Sequence, residues 1–347
     1  MKIGIIPGAS KETGKNVDMP LVLEAEKLGY DSAWTSEAWG RDAVSSAAWI
    51  LAQTKTMTVG TAIMQMSART PTMAAMTAMT LAEMSDGRFV MGIGPSGPQV
   101  IEGWHGMPFG RPMTRTREYI EIVRKILKRE EPLTHQGYHY QIPYMGAGAT
   151  GLGKPLKGIL HGDPSLPIFT AAITPAGLRT AAECADGIFP IFMNPERFDI
   201  LEGPLNEGLA KTDGAKSLAN FQIAPFVPVQ IGDDLDACRA PVKAQLALYV
   251  GGMGARDKNF YNDYAKALGF EDAAVKIQDL FLDRKRAEAA AAVPDEFVDA
   301  IALVGTKERI AERLEVWKAA SAKGHVASIL LRGPTMEAIR TIAEIAF

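Results

Sequence analysis

Apolar positions in this chain follow two periodicities that alternate along its length. Short apolar runs typical of buried strands are each followed by a segment with apolar residues at helical spacing. The predicted strands are 3–6, 32–36, 57–63, 88–93, 166–172, 187–192, 221–231 and 325–332. The predicted helices cover 19–29, 43–54, 71–85 and 112–129, and further helices begin at residues 175, 195, 233 and 335. The sequence therefore predicts eight strands, each followed by a helix.

Eight strands alternating with helices favour a closed (β/α)8 TIM barrel, because such strands leave an interior that side chains fill. An open doubly wound sheet is the alternative. We expect one domain spanning 1–347, since barrels with insertions reach this length. Two segments interrupt the alternation: 134–165 is rich in turn residues and glycine, and 251–293 is polar and then alanine-rich. Both are expected to be insertions over the C-terminal mouth, with a helix at 286–293.

Composition narrows the range of functions. The formal net charge is −3, and no basic stripe is present, so we expect no nucleic-acid partner. Cys184 and Cys238 are far apart in the chain and lack zinc-type spacing, which indicates reduced thiols in a cytoplasmic protein. No apolar signal segment and no run of about 18 apolar residues is present, so a membrane span is not expected. His135 and His139 are four residues apart, but the segment GYHYQIP (137–143) is typical of a β-hairpin rather than a helix, so they are not expected to share a metal.

Three glycines, Gly92, Gly94 and Gly97, match the spacing G-x-G-x-x-G. A Rossmann fingerprint belongs on the first β–α turn, with an acidic residue about 20 positions further on. Here the glycines follow the fourth predicted strand, and Arg117 occupies the later position. We therefore interpret the spacing as a coincidence, in which glycines at a barrel strand end allow a ligand to approach the backbone closely.

Four segments occur in a characteristic order: SAWTSEAWGRDA (32–43), GTAIMQMSARTP (60–71), VMGIGPSG (90–97) and TAAITPAGLRTAAECADGI (170–188). Together they resemble the luciferase-like monooxygenase superfamily, and within it the branch of oxidoreductases that use the deazaflavin coenzyme F420. The resemblance covers nearly the whole chain. It implies a bacterial-luciferase-like barrel that holds a flavin-like ring at its C-terminal mouth and transfers hydride to or from the ring's C5 atom.

The resemblance also implies where the coenzyme binds. Family members place a non-proline cis peptide behind the ring, and the matching bond here joins Ala62 and Ile63. The segment AAITPAGLRT reads as strand, turn and helix, whose free N–H groups suit an anion such as the coenzyme phosphate. Arg69 and Arg179 are possible sources of positive charge. The predicted cofactor-binding residues are Ala62, Ile63, Gly94, Pro95, Ser96, Gly97, Ala172, Ile173 and Thr174.

The predicted catalytic residues are Glu37, Trp39 and His105. The family carries an acidic residue at the position of Glu37, which could accept a hydrogen bond or transfer a proton if burial raised its pKa. Its sugar-phosphate dehydrogenases have a histidine next, where this chain has Ala38. Trp39 could lie against the ring or substrate. His105, after the glycine-rich loop, could donate a proton at the mouth.

The segment IFPIFMN departs from the sugar-phosphate enzymes, which have a threonine and a lysine there to hold a phosphate. Ile191, Phe192 and Met193 predict instead an apolar wall that binds an apolar or bulky carbonyl or alcohol substrate. No metal is expected, and a metal-dependent hydrolase is a weak alternative. The stronger alternatives are an FMN-dependent monooxygenase and a non-catalytic deazaflavin-binding protein. We expect a homodimer with a small-molecule substrate as its only other partner.

Overall fold

The computed structural model describes residues 1–10 and 14–347. Its strands are β1 (Lys2–Ile6), β2 (Ser32–Thr35), β3 (Thr58–Thr61), β4 (Met64–Gln65), β5 (Phe89–Gly94), β6 (His135–Gln136), β7 (Gln141–Ile142), β8 (Ile168–Ala171), β9 (Gly187–Phe189), β10 (Gln222–Ile223), β11 (Phe226–Ile231), β12 (Leu303–Gly305) and β13 (Ser328–Arg332). Its helices are α1 (Met19–Lys27), α2 (Ala43–Leu51), α3 (Pro71–Met84), α4 (Pro98–Gly103), α5 (Pro112–Lys128), α6 (Pro175–Cys184), α7 (Asp199–Leu209), α8 (Leu235–Ala247), α9 (Phe260–Ala267), α10 (Glu271–Leu282), α11 (Arg286–Ala291), α12 (Asp295–Ile301), α13 (Lys307–Ala322) and α14 (Met336–Ala346).

The main sheet is parallel and curled, with helices along its outer face. Its strands follow the order β10-β9-β8-β5-β3-β2-β1-β13-β11-β12, and β4 adds to β5. Neighbouring strands pair in parallel throughout, so their carboxyl ends meet at one edge of the sheet. Glycine-rich and polar segments follow several of these carboxyl ends. This edge is the place where open or closed α/β sheets bind ligands.

The segment 222–231 forms hydrogen bonds with strands that stand near opposite ends of this order. On one side, the Ala224 N–H donates to the Ile188 carbonyl at 2.9 Å, next to the β10–β9 pairing. On the other side, the Leu330 N–H donates to the Pro225 carbonyl at 2.9 Å, next to the β11–β13 pairing. One short stretch of backbone therefore connects both flanks of the curled sheet.

Each of the eight predicted strands overlaps an observed strand, and the predicted 137–143 hairpin forms as the antiparallel pair of β6 and β7. Two elements were not predicted from the sequence: β12, a three-residue strand that lengthens the edge beside β11, and helix α13. The segment 251–293, expected to be an insertion, contains α9, α10 and α11, and α11 overlaps the helix expected at 286–293. None of the helices in the described residues is both long and apolar enough to cross a membrane.

Side chains on the concave face of the sheet form a compact group that we call the inner cluster. Its buried members are Trp34, Ala62, Val90, Phe169, Phe189, Ala224 and Leu330. Close packing there requires glycine: a Cβ at Gly92 would lie 1.7 Å from the Thr61 carbonyl oxygen. Gly92, the first glycine of the G-x-G-x-x-G spacing, is thus needed for strand packing rather than for a dinucleotide turn.

The hairpin within 134–165 is held to α5 by one buried carboxylate. Glu118 accepts backbone N–H bonds from Tyr138, His139 and Tyr140 at 2.8, 2.9 and 3.0 Å. Burial by itself raises the pKa of Glu118, but the three N–H donors outweigh it and bring the pKa below its ordinary value. His139 contributes to this structural anchor, and no cluster able to hold a metal occurs in the part of the chain that the structure describes.

Candidate active site

The peptide that joins Ala62 and Ile63, just after β3, is cis in the structure, as the family resemblance implies. Ala62 belongs to the inner cluster and is 4% exposed. The Ile63 side chain lies against Gly94, because a Cβ placed on Gly94 would be 2.9 Å from Ile63 Cδ1. Two of the predicted cofactor-binding segments are therefore in direct contact at the carboxyl edge.

The predicted phosphate-binding segments leave neighbouring strands. Gly94 ends β5, and Ala171 ends β8, which pairs directly with β5. Thr174 is the N-cap of α6, where its hydroxyl accepts the Gly177 N–H at 3.1 Å. Pro175 occupies the predicted first turn of that helix. The pairing of β5 with β8 thus places the loops 94–97 and 172–174 side by side.

Four backbone N–H groups on these two loops have no acceptor. Those of Ser96 and Gly97 on one loop, and of Ile173 and Thr174 on the other, donate to no group within residues 1–10 and 14–347. Ser96 also has a left-handed backbone, with φ of 57°. Unpaired amides beside a helix N-terminus provide the donors that a phosphate group requires. The residues present therefore fit the phosphate of a bound coenzyme.

Glu37, predicted as a proton-transfer group, is instead fully bonded to the protein. Its Oε1 accepts the Gln65 N–H at 2.7 Å and the Arg69 Nη1 at 2.6 Å, and its Oε2 accepts the Ala43 N–H at 3.1 Å. The Glu37 side chain is only 8% exposed. These contacts fix the loop after β2 against the segment after β3, so the geometry supports a positioning role.

Arg69 is neutralised by two carboxylates, since it also pairs with Asp42. Burial opposes the charge of Arg69, but its bonds with Glu37 and Asp42 raise its pKa. Burial likewise acts to raise the pKa of Asp42, but hydrogen bonds from Ser45 and the charge of Arg69 lower it. Arg69 is therefore a structural cation, and the possible role in holding a coenzyme phosphate is not supported.

Arg179, the other candidate cation, also has a carboxylate partner. It lies on α6 and pairs with Glu207 at 3.0 Å between partly exposed side chains. Neither arginine therefore offers a free positive charge to the loops 94–97 and 172–174.

His105 and the loop after β2 are joined through Gln65, a residue that the sequence analysis missed. Gln65 is fully buried; its Nε2 donates to the Ala38 carbonyl at 2.8 Å, and its Oε1 is 2.6 Å from His105 Nε2. Because the amide nitrogen faces a carbonyl, the Gln65 oxygen faces the histidine, so His105 Nε2 is the donor. In the sequence, Gln65 could have been recognised as a polar residue at the end of an apolar strand.

Trp39 is 55% exposed and follows the Ala38 carbonyl that Gln65 anchors. A large aromatic side chain held on a fixed loop but open to solvent suits contact with a flat ligand. The structure thus groups Glu37, Trp39 and His105 around Gln65. Glu37 lies inside this group, whereas Trp39 and His105 retain accessible surface.

The predicted apolar wall is only partly accessible. Ile191 is half-buried, whereas Phe192 and Met193 are 2% and 1% exposed and pack in the core. The Phe192 ring packs edge-on against the rings of Tyr249 and Tyr261, with centroid distances of 5.4 and 6.5 Å. Neither tyrosine was predicted from the sequence, because both lie in the helical region after β11. A direct contact of Phe192 or Met193 with substrate remains a prediction.

A parallel α/β sheet with unpaired amides, a cis peptide and aromatic side chains gathered at its carboxyl edge has the features of an enzyme that binds an anionic, flat ligand. The family model of the luciferase-like monooxygenases matches residues 15–324, and the chain belongs to that family.

Among related proteins, this chain is 40% identical over 346 residues to the provisionally named coenzyme F420-dependent oxidoreductase Rv3520c of Mycobacterium tuberculosis, with 99% of each chain covered. Solved structures are similar in fold. The coenzyme F420-dependent tetrahydromethanopterin reductase of Methanopyrus kandleri gives a TM-score of 0.77 at 21% identity, covering 99% of this chain and 97% of its own. An F420-dependent secondary alcohol dehydrogenase in complex with an F420-acetone adduct gives 0.69 at 18% identity, covering 99% and 98%.

Proposed function

We propose that this protein is an F420-dependent oxidoreductase that transfers a hydride between the deazaflavin C5 atom and the carbon of an apolar or bulky carbonyl or alcohol substrate. The relative that is 40% identical over essentially the whole of both chains is named as a coenzyme F420-dependent oxidoreductase. The observation that carries the proposal is the set of four unpaired N–H groups on the loops 94–97 and 172–174, beside the contact of Ile63 with Gly94.

We further propose that the curled sheet closes as a (β/α)8 barrel. The hydrogen bonds from the segment 222–231 to β9 and to β13 support closure, because one strand then bridges both flanks. In a closed barrel the inner cluster fills the interior, and the carboxyl ends of the strands surround one mouth. The ligand-binding residues described above then face a common space.

When bound, the deazaflavin supplies the hydride chemistry. Ala62 and Ile63 would support one face of its ring, and Gly94 allows Ile63 to lie close to the backbone of β5. Gly94, Pro95, Ser96 and Gly97, with Ala172, Ile173 and Thr174, would surround its phosphate. The unpaired amides on these loops would donate to the phosphate oxygens without a neighbouring arginine.

The proton that accompanies hydride transfer is assigned to His105. Because Nε2 donates to Gln65, the Nδ1 lone pair is free to accept a proton from a substrate hydroxyl, or to return one to a substrate carbonyl oxygen. Glu37 would act as a positioning residue through Gln65 and Arg69 rather than as the acid or base. Trp39 would cover the ligand and reduce its contact with water.

Titration of the purified protein with oxidised F420 and, in parallel, with FMN tests the proposal by fluorescence. We expect micromolar or tighter binding of F420 and at least tenfold weaker binding of FMN. Gly94→Ala should weaken F420 binding because it displaces Ile63, whereas Gly203→Ala on α7 has open space around it and should not. Binding of neither compound would reject the proposal.

The family's monooxygenase description favours one second candidate, an FMN-dependent monooxygenase. Preference for FMN, together with oxygen uptake in the presence of reduced FMN, would establish it. Tight F420 binding without turnover across a panel of alcohols and carbonyls would instead identify a deazaflavin-binding protein without catalysis.

We also propose a homodimer. On α3, Met73 and Met76 are about half exposed, and Trp49 on α2 is exposed as well. Exposed methionine and tryptophan side chains on two successive helices are typical of a protein interface. Light scattering coupled to size exclusion should give about twice the chain mass of 37.4 kDa, and a monomeric mass would reject the dimer.

A further inference from the structure

Arg332 is placed at the carboxyl edge with its side chain on the concave face of the sheet. It is the last residue of β13, two positions after Leu330, which belongs to the inner cluster. Alternate residues of a strand share a face, so Arg332 follows Leu330 toward the mouth. Its neighbour across the strand pairing, Ile6, also packs against the inner cluster. No sequence motif assigns a role to Arg332.

Within the described residues, the Arg332 guanidinium forms neither a hydrogen bond nor an ion pair. Its Nη1 is buried without a hydrogen bond, and no carboxylate in the described residues forms an ion pair with it. Its Cζ instead lies 5.8 Å from the ring centroid of Tyr249. Each other half-buried arginine in the described residues has at least one hydrogen-bond or ion-pair partner: Arg239, for example, pairs with three aspartates, among them Asp295 and Asp299. Arg332 is therefore an unusual arginine within this protein.

An unpaired, buried guanidinium N–H is costly, because it loses its water and gains no acceptor. Arginine is also the side chain whose planar pair of donors matches a carboxylate or phosphate. An anionic group from outside the chain would remove this cost. The adjacent rings of Tyr249 and Tyr261, whose centroids are 4.8 Å apart, offer an apolar surface beside that anion.

We propose that Arg332 binds a carboxylate of the substrate, whose apolar body lies along Tyr249, Tyr261 and Ile191. This inference rests on the proposed function and refines its substrate class to apolar oxo or hydroxy compounds that carry a carboxylate. One guanidinium matches the single charge of a carboxylate, and Asn194 rather than a cation follows the apolar wall. A phosphate ester, with up to two charges, would be left without further positive partners there.

The anion is assigned to the substrate rather than to the coenzyme because of strand order. The loops proposed for the coenzyme phosphate follow β5 and β8, whereas Arg332 ends β13. Strands β3, β2 and β1 stand between β5 and β13 in the sheet. The two anion-binding positions therefore lie on different sides of the carboxyl edge.

Calorimetric titration with matched ligand pairs tests the proposal. The probes are phenylacetate, 3-phenylpropanoate, 4-phenylbutanoate and octanoate, each compared with its primary amide, on protein with and without F420. We expect at least one carboxylate to bind about tenfold more tightly than its amide. Arg332→Gln should reduce that preference to within about twofold, and Arg332→Lys should retain part of it. Arg340→Gln, which removes an exposed arginine paired with Glu24, is the matched control.

The assignment would be overturned if the wild-type protein bound no carboxylate more tightly than its amide, or if Arg332→Gln kept the preference for the carboxylate. It would also be overturned if phenyl phosphate bound more tightly than every carboxylate.

A fluorescence titration of the same variants with F420, and with its ring-and-ribityl fragment that lacks phosphate and glutamates, distinguishes the source of the anion. If Arg332→Gln weakens F420 but not the fragment, the anion belongs to the coenzyme and our proposal is wrong. Failure of the wild-type protein to bind F420 would reject the proposed function, while the carboxylate comparison on the apo-protein would still be decisive for Arg332.

Discussion

Replacing Glu37 by glutamine distinguishes a positioning residue from an acid or base. The substitution keeps the shape of the side chain and removes its charge. Two donors meet at Oε1 and one at Oε2, with distances between 2.6 and 3.1 Å. If the amide oxygen takes the place of Oε1, the amide nitrogen faces the Ala43 N–H, and that hydrogen bond is lost. Arg69 then keeps one carboxylate partner, Asp42.

The expected loss of stability follows from these contacts. A hydrogen bond to a charged group contributes about 1.5–3 kcal/mol, so losing one such bond and the charge facing Arg69 should cost about 2–4 kcal/mol. Glu37→Ala removes all three contacts and leaves Arg69 with Asp42 as its remaining carboxylate partner, which should cost roughly 3–5 kcal/mol. Glu24→Gln, which breaks the exposed pair with Arg340, should cost no more than about 1 kcal/mol.

Urea unfolding at pH 7 gives the free energies of unfolding, and steady-state kinetics with F420 give turnover against pH. We expect Glu37→Gln to be less stable than the wild-type protein, yet to show the same pH profile of kcat, because we propose that the proton moves at His105. The reasoning is refuted if Glu37→Gln is as stable as the wild-type protein and inactive. That result would restore Glu37 as the proton-transfer group.

Three further predictions concern the fold and the proton. Gly92→Ala should destabilise the protein by at least about 3 kcal/mol in urea unfolding, because its Cβ would overlap the Thr61 carbonyl, whereas Gly203→Ala should stay within about 1 kcal/mol of the wild-type protein. Glu118→Gln should lower the free energy of unfolding by about 2 kcal/mol at pH 7. Because folding lowers the pKa of Glu118, this difference between the two proteins should shrink as the pH falls below about 4. A difference that stays constant with pH would contradict the prediction. His105→Asn should reduce kcat about 100-fold or more while F420 binding is unchanged, and near-normal turnover would remove His105 from the mechanism.

Features that depend on local chain chemistry were predictable from the sequence. The strands are short and apolar on both faces, as expected of a parallel sheet covered by helices, so the eight main strands are recognisable. Pro175 at the first turn of α6 follows from the fixed backbone of proline. Strand β12, with only three residues, carries too short a pattern to be separated from the helices beside it.

Features that depend on contacts between distant segments were not predictable in the same way. Glu37 reads as a candidate acid in its own segment, and only the approach of Gln65 and Arg69, about 30 residues later, shows that its oxygens are occupied. Arg332 shows the opposite case. In the sequence it is an ordinary charged residue at a strand end. Its significance comes from the absence, among the described residues, of a hydrogen-bond acceptor or carboxylate for its guanidinium.

The same comparison explains why charge alone does not identify a ligand site in this family of folds. Arg69 and Arg179 are candidate cations for the predicted phosphate loops, yet each is paired with a carboxylate of the protein. The donors that remain free at those loops are backbone amides, which carry no sequence signature of their own. A cation acts on a ligand only when the protein leaves it unpaired, and at the carboxyl edge of this sheet Arg332 meets that condition. Substrate charge should therefore be sought at β13, and coenzyme charge at β5 and β8.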